Sequence, residues 1–136
     1  MILIIITFLS ISSLAKSEIS YEKDFDETQF IIESQIQAFL DENAELAYSY
    51  AAPLIKMKFD SPSEFMFMVK NYYEPVYNPK QFYFIDARYF EGAIYHQLQV
   101  ISQQDESFLA TYSLIQDEGK WKISGCAVYP MQKQSI

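Results

Sequence analysis

The apolar positions follow a helical period in the first half of the chain, and this period is clearest after Phe25. Asp26 is suited to cap a helix, because its carboxylate can accept a backbone N–H of the first turn. Phe25 and Phe30 occupy the two positions of a hydrophobic staple around that cap. The apolar face then continues through Ile32, Ile36, Phe39 and Leu40. We therefore predict a first helix over residues 27–41.

Two further helical segments are marked by their capping residues. Asn43 can begin a short second helix, and Pro53 ends it because the residue before a proline disfavours the helical conformation. Residues 54–59 are expected to add one more turn. Ser61 followed by Pro62 favours the start of a third helix, with proline at its first position.

From Gln81 onward, apolar residues alternate with polar ones, which is typical of half-buried strands. The pattern predicts four strands, at residues 82–91, 93–103, 107–116 and 120–129. Gly119 lies between the last two strands, where a tight hairpin needs a residue that tolerates positive φ. Two prolines in residues 74–80 favour an extended or turning connector between the helices and the sheet.

Helices followed by consecutive antiparallel strands indicate an α+β fold, with the helices packed on one face of a curved sheet. The 136 residues suit one domain of ordinary size. We expect residues 16–26 to form a flexible lead-in, residues 27–130 a single domain, and residues 131–136 a tail.

The order of several short segments resembles a known family. These segments are QIQAF at 35–39, AYSYAAP at 47–53, MV at 68–69, YEPVY at 73–77 and WKISGC at 121–126. Over about residues 28–128 the chain is similar to the bacterial domain-of-unknown-function family 4864. The resemblance extends to the cone-shaped fold of nuclear transport factor 2, the ketosteroid isomerases and the SnoaL-like proteins. It implies a cone with an internal pocket and supplies no mechanism.

Residues 1–15 carry no charged side chain and are dominated by apolar residues. As a helix, the apolar run would span about 20 Å, which is short of the roughly 30 Å hydrocarbon core of a bilayer. Ser13 and Ala15 are small residues at the −3 and −1 positions before Lys16, as signal peptidases require. We expect a signal peptide over residues 1–15, a periplasmic or secreted protein, and no stable membrane insertion after cleavage. No cation precedes the run, so a mis-assigned start codon or an uncleaved anchor is an alternative. A buried first strand is another, because isoleucine-rich runs also suit strands.

The net charge of −8 is concentrated in the first third of the chain, where residues 17–52 contain nine acids and one base. A nucleic-acid partner is excluded, because phosphate binding needs a basic surface. Adhesion to anionic lipid headgroups is disfavoured for the same reason.

A single cysteine and a single histidine limit the chemistry of the chain. They exclude an intrachain disulfide and any zinc site built from cysteine and histidine, since such sites take about four ligands. Phosphate-binding loops, nucleophile elbows and His-Glu-x-x-His sequences are absent. We expect no cofactor and no metal. Cys126 is expected to be a buried structural residue.

Two residues are candidates for a general base. His96 is in phase with apolar residues of the second strand and can face the pocket of a cone, where its pKa suits proton transfer. The alternative is a histidine satisfied by hydrogen bonds in the core. Asp86 and Arg88 alternate onto the same face as Phe84 and Phe90, where an acid and a cation could hold a polar ligand. The alternative is an ion pair on the solvent side.

The candidate ligand-binding residues are mainly the rings near the predicted connector: Tyr72, Tyr77, Phe84, Arg88 and His96. The chain is predicted to be an exported, non-catalytic domain that binds a small apolar ligand or an envelope protein. The open sheet face could also form a homodimer. The alternative function is a small-molecule lyase or isomerase with His96 or Asp86 as base.

Overall fold

A computed structural model describes the backbone of residues 11–132 and the side chains of residues 21–132. Most of the expected signal peptide and most of the expected tail lie outside the described residues. The helices are α1 (Ile11–Leu40), α2 (Ala44–Ser49), α3 (Pro53–Lys58), α4 (Pro62–Tyr72) and α5 (Glu74–Tyr77). The strands are β1 (Gln81–Phe90), β2 (Ala93–Ile101), β3 (Ser107–Asp117) and β4 (Lys120–Pro130).

The helices pack against one face of a four-stranded antiparallel sheet, whose strand order β1-β2-β3-β4 is that of a simple meander. The predicted α+β class is therefore confirmed. One apolar core lies between the helices and the sheet. Its members include Ile32, Ile36, Phe39, Phe65, Val69, Ile94, Leu98, Tyr112, Leu114 and Ile123. No helix in the described part of the chain is both long and apolar enough to cross a membrane.

Helix α1 is longer than predicted, because residues 16–26 are helical and continue it toward the N-terminus. The predicted cap at Asp26 is therefore wrong. Tyr21, Phe25 and Thr28 recur every three or four residues and continue the sheet-facing side of the helix, on which Thr28 is buried, Phe25 half-buried and Tyr21 partly exposed. The Tyr21 ring lies 4.7 Å from that of Tyr89 on β1, so packing on the sheet prevails over the local capping signal.

The other capping predictions are confirmed. Asn43 accepts a hydrogen bond from the Leu46 amide at 3.2 Å at the start of α2. Ser61 accepts one from the Glu64 amide at 3.2 Å at the start of α4. The connector after α4 differs from the prediction, because Glu74–Tyr77 forms a single helical turn, α5. Proline fits there, since the first turn of a helix needs no amide donor.

Two hairpins close through two-residue turns. The turn between β1 and β2 is Glu91-Gly92, with φ of 49° and 82°, and the turn between β3 and β4 is Glu118-Gly119, with φ of 50° and 78°. Positive φ at both central residues matches the right-handed twist of the flanking strands. The prediction of positive φ at Gly119 is confirmed.

A β-bulge in β1 changes which side chains face the helices. The register steps from the pair Phe84–Leu98 to the pair Asp86–Gln97, so Ile85 is an additional residue. Phe84 therefore lies on the helix side, while Asp86 and Arg88 lie on the outer face of the sheet. The prediction that Asp86 and Arg88 share a face with Phe84 is wrong, because one extra residue inverts the alternation.

A second bulge, in β4, has the same effect near the end of the chain. The register steps from the pair Ser113–Gly125 to the pair Leu114–Ile123, which leaves Ser124 as the additional residue. Ile123 is buried on the helix side, whereas Tyr129 is exposed on the outer face. Without the bulge, the alternation of a regular strand would place these two side chains on the same face.

Candidate functional site

A cavity of about 250 Å³ lies between the helices and the strands β3 and β4. Helices α1, α3, α4 and α5 supply its roof, and the bulged part of β4 supplies part of its floor. The described residues that line it are Gln35, Phe39, Ile55, Lys58, Phe59, Phe65, Met68, Val69, Tyr73, Val76, Tyr112, Ile123, Ser124, Gly125 and Cys126.

Three phenylalanine rings brace one wall of the cavity. The ring of Phe65 lies 6.1 Å from that of Phe39 and 5.9 Å from that of Phe59. These tilted and edge-on arrangements are the favoured ones for aromatic pairs. The Tyr48 hydroxyl donates to the Phe59 carbonyl at 2.7 Å, which fixes the segment after α3 against α2. The apolar wall is therefore a packed surface with defined shape.

Tyr112 is a deeply buried residue of the cavity lining. The residue is only 1% exposed, and its hydroxyl has no hydrogen-bond partner among the described residues. Burial raises the pKa of Tyr112 well above its ordinary value of 10.0, and the Cys126 thiol adds to that rise. The hydroxyl is therefore neutral and keeps its proton, and it is a hydrogen-bond donor that makes no bond of good geometry among the described residues.

Cys126 stands directly opposite Tyr112 in the register of β3 and β4. Burial raises the pKa of its thiol from 9.0 to about 12, although the Tyr112 hydroxyl lowers it in part. A side-chain interaction of hydrogen-bond type between the hydroxyl and the thiol raises the pKa of Tyr112 and lowers that of Cys126. The distance and angles of this contact fall short of a hydrogen bond, and sulfur is a weak acceptor, so the contact satisfies the hydroxyl poorly. The thiol stays protonated at neutral pH and lacks the thiolate character of a nucleophile.

The remaining polar residues of the lining differ in how deeply they are buried. Gln35 is buried, and its side-chain amide donates to the Ala47 carbonyl at 3.1 Å, which holds its orientation. Ser124 shares a hydrogen bond of 2.9 Å with Ser113 on β3. Lys58 is an exposed residue of the lining, so it lies where the cavity opens to solvent, at the mouth.

His96 occupies a different part of the core. Its Nε2 atom lies 2.7 Å from the Thr28 hydroxyl, and the rings of Phe25 and Phe84 contact it edge-on. Burial lowers the pKa of His96 below 6.5, and the Asp86 carboxylate offsets part of this effect. The residue is in phase with Ile94 and Leu98 as expected, but it does not line the cavity.

Asp86 and Arg88 form an ion pair of 2.8 Å on the outer face of the sheet. The Arg88 side chain is 80% exposed, so water screens the pair and its contribution to stability is small. The structure does not place either residue at the cavity.

The other predicted ligand-binding residues also lie away from the cavity lining. Tyr72 is 78% exposed at the end of α4. Tyr77 packs its ring 6.0 Å from that of Phe39, and Phe84 packs on His96. The structure thus brings Phe84 and His96 together in the core and leaves Tyr72 and Arg88 in solvent.

The residues that sequence reasoning missed at this site are Gln35, Lys58 and Tyr112. The sequence did contain a signal for Tyr112. This residue alternates with the apolar residues Ala110 and Leu114 along β3, and its side chain ends in a polar group. Lys58 carried no such signal, since an exposed lysine on a short helix is ordinary. Among the side chains 21–132, no three metal-ligating His, Cys, Asp or Glu residues come together.

Comparison with protein families gives a match over most of the chain. Residues 21–136 match the family described as Domain of unknown function (DUF4864), and the chain belongs to that family. None of the curated proteins matches the chain. The family description names no activity, so function has to be argued from the cavity.

Proposed function

We propose that this member of the DUF4864 family binds a small, largely apolar ligand in the cavity between its helices and its sheet. The observation that carries the proposal is the Tyr112 hydroxyl, which is buried, neutral and without a hydrogen bond of good geometry among the described residues, and which belongs to a residue that lines the cavity. A ligand atom that accepts a hydrogen bond would complete it.

The unpartnered hydroxyl has a free-energy cost that a phenylalanine would avoid. A buried donor without a partner costs about 1–3 kcal/mol relative to one that is satisfied. The ring of Tyr112 packs in the core as a phenylalanine ring would, so the oxygen adds nothing to packing. Ligand binding would explain why position 112 is a tyrosine, because a hydrogen bond to the ligand offsets the free-energy cost of desolvating the hydroxyl.

The size of the cavity limits the ligand. A cavity of about 150 Å³ accommodates benzene, and pockets for drug-sized ligands begin at about 300 Å³. The cavity of about 250 Å³ lies between these values. A single substituted ring or a short alkyl chain fits that volume. Neither His96 nor Asp86 lines the cavity, so binding is a better-supported function for it than acid–base catalysis.

The test combines a ligand screen with one substitution. Single-ring and short-chain compounds are screened by thermal shift against the purified protein, and the dissociation constant of each hit is measured by calorimetry. Tyr112→Phe is expected to weaken binding about tenfold, because it removes one hydrogen bond in a dry site. Tyr95→Phe, on the outer face of the sheet, is the matched control and should leave binding unchanged. Equal binding by the wild type and Tyr112→Phe would contradict the proposal, as would a screen without any hit.

We also propose that the protein is exported and belongs to the nuclear-transport-factor-2-like cone superfamily. The uncharged residues 1–15 support export. The order of helices before an antiparallel meander, with a cavity between the layers, supports the cone. Mass spectrometry of the N-terminus after cell fractionation tests export, and an intact Met1 in the cytoplasm would contradict it.

A second candidate function is association through the outer face of the sheet. No element in the described part of the chain covers that face, and Tyr83, Tyr95 and Tyr129 are exposed on it. Aromatic residues are enriched at protein interfaces. We propose that a second copy of the chain or an envelope protein binds to this face. Light scattering of the purified wild type and of Tyr129→Glu tests the homodimer, and a monomeric wild type at high concentration would refute it.

A further inference from the structure

We propose that the ligand is a small monocarboxylic acid, whose carboxylate lies beside Lys58 at the mouth and whose apolar body extends toward Tyr112. This inference rests on the proposed binding function and goes beyond it, because it assigns the charge and the orientation of the ligand.

The charge of the cavity lining favours an anionic ligand. Of the described residues that line it, only Lys58 is charged, and no carboxylate lines it. The whole chain has a net charge of −8, so a lining whose only charge is positive departs from the overall composition. An anion meets attraction at this opening, whereas a cation meets repulsion.

Lys58 forms no ion pair with any side chain of residues 21–132. The ion pairs among the side chains 21–132 are Lys80–Asp105 and Asp86–Arg88, and neither involves Lys58. Nearby lysines are occupied: the Lys56 ammonium lies 5.3 Å from the centre of the Tyr48 ring, and the Lys122 ammonium donates to the Ser49 carbonyl at 2.8 Å. Lys58 thus keeps its donors available at the mouth.

The exposure and the single charge of Lys58 favour a ligand with one negative charge at the mouth. A fully buried anion would have a large desolvation cost, but Lys58 is exposed, so a carboxylate beside it remains partly hydrated. A single ammonium group is a compact point charge that matches one negative charge. A phosphate monoester, with about two charges, would call for more cations than the lining offers.

The far end of the ligand follows from Tyr112. Its protonated hydroxyl donates, so the apolar body should carry one acceptor, such as a hydroxyl or carbonyl oxygen, opposite the carboxylate. The two polar contacts would then orient the body between the phenylalanine rings of the wall.

The experiment uses matched acids and amides with the full chain. The probes are para-hydroxyphenylacetate, its propionate homologue, the corresponding neutral amides, and phenylacetate, which lacks the far oxygen. We expect the acids to bind about three- to fivefold more tightly than the amides, as is usual for a partly exposed charge pair. Added salt should reduce that preference.

Two substitutions locate the effect. Lys58→Gln should abolish the preference for acid over amide, whereas Lys56→Gln, which removes the same charge two residues away, should retain it. Loss of the preference in both variants would show a general charge effect and would overturn the assignment to Lys58.

The outcomes separate this inference from the proposed function. Equal binding of acid and amide to the wild type would overturn the carboxylate and leave binding in the cavity intact. If none of these probes binds, the comparison is made between the acid and amide forms of the hits from the compound screen. Hits that are all neutral would overturn the inference, and a screen without hits would overturn the binding function itself.

Discussion

The Thr28 hydroxyl lies 2.7 Å from Nε2 of His96 and joins helix α1 to strand β2 across 68 positions of sequence. Both residues are fully buried. The Thr28 hydroxyl also lies 2.7 Å from the Asp24 carbonyl, and when it donates there its oxygen is free to accept from the imidazole N–H of the tautomer protonated at Nε2. His96 therefore serves as a structural link between the two layers of the fold.

This link predicts energetic coupling between the two side chains. His96→Gln should lower the free energy of unfolding by about 1–2 kcal/mol, because a hydrogen bond and ring packing are both weakened. Thr28→Val should cost a similar amount, and a double-mutant cycle should give a coupling of about 1 kcal/mol. Urea unfolding followed by Trp121 fluorescence measures these values. Thr111→Val, on the outer face, is the control, and strictly additive effects of the two substitutions would contradict the link.

The stability should also depend on pH through His96. Burial holds its pKa below 6.5 in the folded protein, so the unfolded chain binds more protons as the pH falls through 6.5. The stabilisation is therefore complete above that pH and is lost below it, with a slope of at most about 1.4 kcal/mol per pH unit. Urea midpoints measured from about pH 7.5 to about pH 5 test this. A slope that His96→Gln does not reduce would assign the pH effect to other groups.

Tyr112→Phe should leave the stability of the ligand-free protein unchanged or raise it by up to about 1 kcal/mol, because it removes a buried hydroxyl without a partner. Tyr48→Phe makes the opposite change. It deletes the 2.7 Å bond to the Phe59 carbonyl and should cost about 1 kcal/mol. Thermal unfolding of both variants gives the comparison. Equal destabilisation by the two substitutions would reveal a partner of the Tyr112 hydroxyl.

Cys126 should resist alkylation in the native protein. Since burial raises the pKa of its thiol from 9.0 to about 12, the reactive thiolate is about a thousandfold rarer than in an ordinary cysteine. Iodoacetamide labelling at about pH 8, followed by mass spectrometry, should show slow modification of the folded protein and rapid modification in urea. Labelling of the folded protein at the rate of the unfolded chain would contradict the burial of this thiol.

Local patterns in the sequence determined the class of fold and several of its boundaries. The change from a helical period to a period of two near Gln81 predicted helices followed by strands, and the structure has both in that order. Asn43 and Ser61 cap helices as expected, and Gly119 adopts positive φ. These features depend on the backbone within a few residues of each position, so the sequence nearby is sufficient to specify them.

Tertiary structure decided which faces the side chains occupy and where the cavity lies. The bulges at Ile85 and Ser124 each insert one residue and invert the alternation, which no local pattern marked. Helix α1 extends through Asp26 because Tyr21 packs on Tyr89, far along the chain. The cavity joins Lys58 from α3 to Tyr112 from β3. Its polar groups come together only when the helices pack on the sheet. The unfilled space and the unpartnered hydroxyl are therefore properties of the packed layers and not of any one segment.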